Sequence, residues 1–141
     1  MSTSVINAKG SCLCGGVTIE AAAVSPHAGV CHCSICRLWG GGPFMTIDCK
    51  DQVQITGSDK ITSYQSSEWA ERAFCSACGT HLYYRLKQNN QYVVAAGLFK
   101  LDEALTLDHQ IFIDEKPSWY SFAQETTNLT GAEVFAMFNA S

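Results

Sequence analysis

Cys75-Ser76-Ala77-Cys78-Gly79 leads through Thr80 into His81-Leu82-Tyr83-Tyr84-Arg85. Two thiols three positions apart, closed by a glycine, read as a zinc knuckle, because the tight turn needs the positive φ that glycine adopts freely. The stretch that leaves the knuckle is aromatic and β-prone, and reads as a strand. Similar short runs lie on either side. Val17-Thr18-Ile19-Glu20 follows a turn at Gly15-Gly16, and Phe44-Met45-Thr46-Ile47 and Val53-Gln54-Ile55-Thr56 flank residues 48–52. Ile61-Thr62-Ser63-Tyr64 follows a turn at Gly57-Ser58-Asp59. Asn89-Asn90 turns the chain into residues 91–98, and Gln110-Ile111-Phe112-Ile113 ends before Lys116-Pro117. Strands this short and this regularly spaced indicate a mainly β domain. Short helices are expected at residues 33–39 and after Thr130-Gly131-Ala132-Glu133. The second of these stretches is a capping-box pattern, followed by Val134, Phe135 and Phe138 as an apolar face.

Seven of the eight cysteines fall into three tight clusters: Cys12 and Cys14; Cys31, Cys33 and Cys36; Cys75 and Cys78. Such spacing suits a metal better than disulfides, since neighbouring thiolates in a turn can converge on one centre. Seven ligands divide into a closed set of four and an open set of three. A closed Cys₄ site is structural in type, while three ligands leave a place for water or substrate, as in catalytic zinc. Spacing by itself leaves open which clusters share a metal, and a bare structural zinc ribbon would also satisfy it. His32 sits between two thiolates in an extended stretch, so its side chain is expected to point elsewhere and to hydrogen-bond rather than ligate. Arg37 follows the last thiolate. It either offsets thiolate charge and holds a substrate carboxylate, or is a surface or ion-paired arginine. Cys49 lies outside every cluster and is expected to be packed or free. His27, His81 and His109 lack ligand spacing. Gly40-Gly41-Gly42 is expected to let backbone pass close to the metal or a ligand. Trp39, Phe44, Trp69, Phe99 and Trp119 are core candidates, of which one or two could line a pocket.

The bulk properties narrow the function classes. A chain of 141 residues fits one domain, residues 1–141, and 47% hydrophobic with 16% charged residues is an ordinary globular composition. A net charge of −4 argues against a nucleic-acid surface, which needs clustered Lys and Arg. The longest apolar run, residues 93–99, is far too short to span a bilayer. The opening residues 1–11 are polar, so neither a signal peptide nor a membrane partner is expected, and the expected compartment is cytoplasmic. Thiols stay reduced there, which favours metal sites over disulfides and makes the Asn128-Leu129-Thr130 sequon uninformative.

Three ordered blocks carry a family resemblance: Gly10-Ser11-Cys12-x-Cys14-Gly15, Cys31-His32-Cys33-x-x-Cys36-Arg37, and Phe74-Cys75-x-x-Cys78-Gly79-Thr80. With His109-x-x-Phe112 and Trp119, the pattern from residue 10 to residue 122 resembles the glutathione-dependent formaldehyde-activating enzyme family, whose domain centromere protein V shares. The resemblance implies an Mss4-like fold of antiparallel sheets stabilised by zinc. It implies a structural zinc on Cys12, Cys14, Cys75 and Cys78, and a catalytic zinc on Cys31, Cys33 and Cys36, hence two zinc ions per chain. It further implies a carbon–sulfur lyase that joins a small thiol such as glutathione to formaldehyde, giving S-hydroxymethylglutathione. The chain lacks the basic extension of centromere protein V, so chromatin binding is not implied. A non-enzymatic, zinc-stabilised interaction module is the alternative reading of the same cysteines.

Overall fold

The computed structural model describes residues 5–101 and 105–139. Residues 1–4 of the opening stretch lie outside this set, as does the side chain of Phe138. The strands, in chain order, are β1 (Ile6–Ser11), β2 (Thr18–Val24), β3 (His27–Cys31), β4 (Phe44–Asp48), β5 (Val53–Thr56), β6 (Ile61–Tyr64), β7 (Ala70–Cys75), β8 (His81–Leu86), β9 (Gln91–Ala95), β10 (Thr106–Ile111) and β11 (Thr127–Leu129). The helices are α1 (Ser34–Gly40) and α2 (Gly131–Asn139), with short 3₁₀ turns between strands. The mainly β class expected from the strand spacing is observed.

The chain forms two compact units. The first holds residues 1–26 and 47–105, and the second holds 27–46 and 106–141. In the first unit β1, β2 and β5 pair antiparallel, with Ile19 opposite both Gly10 and Ile55. Strands β6 to β9 form an antiparallel meander. Its core gathers Val17, Ile19, Ile47, Ala73, Leu82, Val94 and Phe99, together with Cys12, Cys49 and Cys75. Two ligand-type cysteines are thus anchored in the core itself. On β2 the buried positions Ile19 and Ala21 alternate with exposed ones, the period a half-buried strand requires.

The second unit differs from the antiparallel expectation. Here β10 runs parallel to both β3 and β11, with Ile111 opposite Cys31 and Leu129. Parallel neighbours need long crossovers, and both pairs are joined by connections far longer than a hairpin. Strand β10 stops at Ile111 because Phe112 takes φ 53°, a left-handed conformation that breaks the ladder. Residues 91–98 likewise divide, with β9 ending at Ala95 and a 3₁₀ turn following.

Both expected helices form. In α2 the capping box closes reciprocally: the Glu133 N–H donates to Thr130 Oγ1 at 3.1 Å, and the Thr130 N–H donates to Glu133 Oε1 at 2.8 Å. Val134 is buried, whereas Phe135 remains largely exposed and meets Phe112 edge-on. Helix α1 begins one residue after Cys33, which is its N-cap. It ends at Gly41, whose φ of 84° and N–H bond to the Arg37 carbonyl at 2.9 Å form a left-handed C-cap. Within the chain the Gly40-Gly41-Gly42 run closes α1, and a side chain added at any of the three would meet no protein atom within 4 Å. No helix among the described residues is long and apolar enough to cross a membrane.

Candidate metal centres

The first unit brings Cys12, Cys14, Cys75 and Cys78 together, their sulfurs all within 4.8 Å of one another. Cys12 Sγ lies 3.6 Å from Cys14 Sγ, which lies 3.8 Å from Cys75 Sγ. A tetrahedron with metal–sulfur bonds of about 2.3 Å has a sulfur–sulfur edge of about 3.8 Å, so the donor set fits such a centre. Local geometry explains the convergence. Gly79 has φ 79°, and its N–H donates to the Cys75 carbonyl at 2.8 Å, closing the knuckle as its sequence demanded. Thr80 ties the two cysteine pairs together: it accepts the Leu13 N–H at 3.1 Å and bonds Cys78 Sγ at 3.2 Å.

The electrostatics follow these contacts. The Thr80 hydroxyl, with its backbone N–H, lowers Cys78 to about 5. Cys14 is pushed up to about 11: the Gly16 N–H lowers it, but the crowding thiols of Cys12 and Cys78 outweigh that pull. Cys12 is lowered despite its burial, helped by the Val17 N–H at 3.3 Å and the Cys14 thiol. Thiols so close cannot all ionise without a cation among them.

The second unit brings Cys31, Cys33 and Cys36 within 4.8 Å of one another. Among the described residues no fourth Cys, His, Asp or Glu joins this group. Cys31 ends β3, Cys33 caps α1 and Cys36 lies inside its first turn, so one strand-to-helix corner supplies all three. The Cys36 N–H donates to Cys33 Sγ at 3.3 Å. Hydrogen bonding to Cys33 and Cys36, with burial, pushes the Cys31 thiol far above its ordinary range. This set too could hold a metal ion.

His32 is fully buried, at 0% exposure, and both ring nitrogens are engaged. Nε2 bonds Gln110 Oε1 at 2.7 Å and Nδ1 bonds the Tyr120 hydroxyl at 2.8 Å. The ring also stacks on Tyr120 at 5.5 Å between centroids. Burial lowers its pKa, and the charges of Lys116 and Arg37 add to that against the Gln110 bond. His32 therefore takes the hydrogen-bonding role expected of it. Arg37 folds back so that Nε donates to the His32 carbonyl at 2.9 Å, bracing the backbone between two of the thiols.

Cys49 belongs to the first unit's core. Its thiol donates to the Ile47 carbonyl at 3.7 Å, and burial pushes it up to about 12. His27 and His109 flank Asp108 at 2.6 and 2.7 Å, and neither joins a cysteine set. Phe99 and Phe44 are core residues, while Trp119 is 71% exposed beside Tyr120. A groove of about 520 Å³ lies over β1, β2 and β5, lined by Lys9, Glu20 and Gln54 and by none of the cysteines.

Sequence reasoning missed Gln110, Glu115, Tyr120 and Thr126. Glu115 accepts the Ser34 N–H at 2.9 Å and so steadies the start of α1. Gln110 Nε2 donates to Thr126 Oγ1 at 2.8 Å. Each lies some eighty or more residues from the cysteine motif it supports, and no spacing rule reaches that far.

Comparison with known proteins agrees with the cysteine pattern. The sequence profile of the glutathione-dependent formaldehyde-activating enzyme family matches residues 7–115. An uncharacterised lyase of Schizosaccharomyces pombe is 39% identical over 127 residues, covering 89% of this chain and 93% of the relative. A Podospora anserina protein, provisionally named a glutathione-dependent formaldehyde-activating enzyme, is 29% identical over 86 residues. That match covers 57% of this chain but only 40% of the relative, well under two thirds of its length. A crystal structure of a Rhodobacter sphaeroides protein shares the fold, with a TM-score of 0.53 at 26% identity over 66% of this chain and 88% of that one.

Proposed function

The chain belongs to the glutathione-dependent formaldehyde-activating enzyme family, and from that premise we propose that it is a zinc-dependent carbon–sulfur lyase joining a small thiol to an aldehyde. Glutathione and formaldehyde are the proposed pair, and S-hydroxymethylglutathione the adduct. The observation that carries the reading is the unequal donor sets: four sulfurs converge in one unit, and three, with no fourth ligand type among the described residues, in the other. In this reading Cys12, Cys14, Cys75 and Cys78 hold a structural zinc, while Cys31, Cys33 and Cys36 hold a catalytic one.

Zinc bound by three thiolates favours the ionised form of a substrate thiol and polarises a carbonyl oxygen. The reaction balances without another reactant. The thiol sulfur bonds to the aldehyde carbon, the carbonyl π pair moves onto oxygen, and the thiol proton ends there, giving R–S–CH₂–OH. The chain's own residues set the stage. Burial of Cys31 and Cys36 excludes water from the inner side of the centre. Arg37 adds positive charge beside thiolates that are all negative, and it is the proposed contact for a substrate carboxylate. The Cys49 thiol is held by Ile47 in the first unit's core, and His32 has no nitrogen to spare, so neither is placed to complete the three-ligand set. This favours the enzyme over the interaction module. All eight cysteines are free thiols, as a reducing, cytoplasmic compartment would keep them.

The test is turnover by fully metallated protein on a panel of thiols and aldehydes. Turnover with glutathione and formaldehyde, lost in Cys33→Ser, is expected. A folded, two-zinc protein inert toward every pair would leave the interaction module as the better reading.

A further inference from the structure

Three thiols on one corner converge only where the backbone between them is itself held. Cys33 is the middle one, with φ −62° and ψ 157°, and a peptide group lies on each side of it. The peptide before it ends in the His32 carbonyl, which accepts Arg37 Nε at 2.9 Å. The peptide after it carries the Ser34 N–H, which donates to Glu115 Oε1 at 2.9 Å. Ser34 opens α1, so its N–H has no carbonyl one turn back to bond. The Arg37 N–H is the one that reaches the Cys33 carbonyl, at 3.0 Å, and the Cys36 N–H donates to Cys33 Sγ at 3.3 Å. Both peptide planes that set the φ and ψ of Cys33 are therefore pinned by charged side chains, and neither is pinned through a sulfur.

Arg37 comes from α1 itself, whereas Glu115 arrives from 81 positions away. It closes the 3₁₀ turn Ile113–Glu115, its own N–H donating to the Phe112 carbonyl at 3.0 Å. Asp114, the residue before it, accepts the Gly131 N–H at 2.9 Å and so does for the first residue of α2 what Glu115 does for the first residue of α1. One turn thus makes two carboxylate–amide bonds of equal length, and only one of them lies beside a thiol.

We propose that Glu115 is a positioning residue of the Cys31–Cys33–Cys36 centre: by holding the Ser34 N–H it fixes the peptide plane after Cys33 and keeps that thiol aimed at the point it shares with the other two. The inference rests on the reading of these thiols as the ligands of the second metal. Glu115 touches none of the three and acts through the backbone. What the arrangement uses is its acceptor oxygen rather than its charge, since three thiolates already supply negative charge there. The consequence is tighter retention of the second metal, because less ordering of the corner is left to be done on binding.

Competition between the reduced, zinc-loaded full chain and a zinc chelator tests this. Wild type should release two classes of zinc, and the class weakened in Cys33→Ser belongs to this centre. Glu115→Ala should release that zinc at about tenfold lower chelator concentration, the lower end of what losing the partner of a ligand costs in metal affinity, and should leave the other zinc unmoved. Glu115→Gln keeps an oxygen for the Ser34 N–H and should stay near wild type. Asp114→Ala removes the matching bond from the same turn and should lower the melting temperature without altering either zinc. Cobalt(II) exchanged into this centre should show a changed thiolate-to-metal absorption in Glu115→Ala but not in Asp114→Ala. Unchanged zinc release in Glu115→Ala, the same loss in Asp114→Ala, or a loss in Glu115→Gln as large as in Glu115→Ala overturns the inference while leaving the lyase reading intact. Wild type that loads only the four-cysteine zinc overturns the metal-site reading, and this inference with it.

Discussion

Replacing Cys75 by serine should destabilise the fold more than replacing Cys33, although each change removes one sulfur from one centre. Cys75 is fully buried, belongs to the first unit's core and stands 3.8 Å from Cys14 Sγ. A structural zinc contributes about 10–16 kcal/mol in small zinc domains, so losing one of four ligands removes roughly 3 kcal/mol. A serine hydroxyl left without a partner in that core adds about 1 kcal/mol. The total of about 4 kcal/mol corresponds to a melting point lower by roughly 12–16 °C for a chain of this size. Cys33 is different in kind. It is half-buried, lies outside that core and serves as the N-cap of α1 by accepting the Cys36 N–H. Serine is among the best N-cap residues, so the helix start survives the exchange. Cys33→Ser should therefore lower stability by less than half as much, while weakening the second metal and abolishing turnover. Thermal melts of reduced, metal-replete protein, paired with elemental analysis, read both effects. Equal loss of melting temperature in the two variants would refute the assignment of one structural and one catalytic centre.

Three further outcomes are expected. Gently purified, reduced protein should carry two zinc ions per chain, and elemental analysis giving one or fewer would remove the four-plus-three division. Arg37→Ala should raise KM for a carboxylate-bearing thiol more than it lowers the melting temperature, and a change confined to stability would assign Arg37 only to bracing the His32 carbonyl. Cys49 concerns alkaline pH. Its thiol stays protonated in the fold up to about 12, whereas the unfolded chain ionises near 9.0, so the stability it contributes is complete below 9.0 and lost as pH rises toward 12. Cys49→Ala should flatten the decline in denaturation midpoint over that range, and an unaltered slope would show that other groups cause it.

The parts of the site legible in the sequence are those built by short loops. Cys75 and Cys78 share a turn whose geometry needs only Gly79, and Cys31, Cys33 and Cys36 share one strand-to-helix corner. The capping box of α2 is equally local, since Thr130 and Glu133 need only one another. Strands β1, β3, β7 and β11 were not legible. Their residues, such as His27-Ala28-Gly29-Val30-Cys31, show no clean alternation, and β3 is buried along most of its length. The cap at Gly41 was not legible either, because flexibility alone does not say where a helix ends.

The sequence by itself determined the three cysteine clusters, the mainly β class and the family resemblance, because tight turns and the spacing within a cluster are decided among residues a few positions apart, whereas the meeting of Cys14 with Cys75, 61 positions on, was decided by the fold. Tertiary structure alone decided what surrounds those ligands. The parallel pairing of β3 with β10 carries Gln110 to His32 across 78 positions. The chain beyond β10 returns Tyr120 and Glu115 to the same corner, 88 and 81 positions from their partners. Such contacts depend on strand register and on where a crossover lands. Both follow from burying the whole chain's apolar surface at once, which no local stretch of residues encodes.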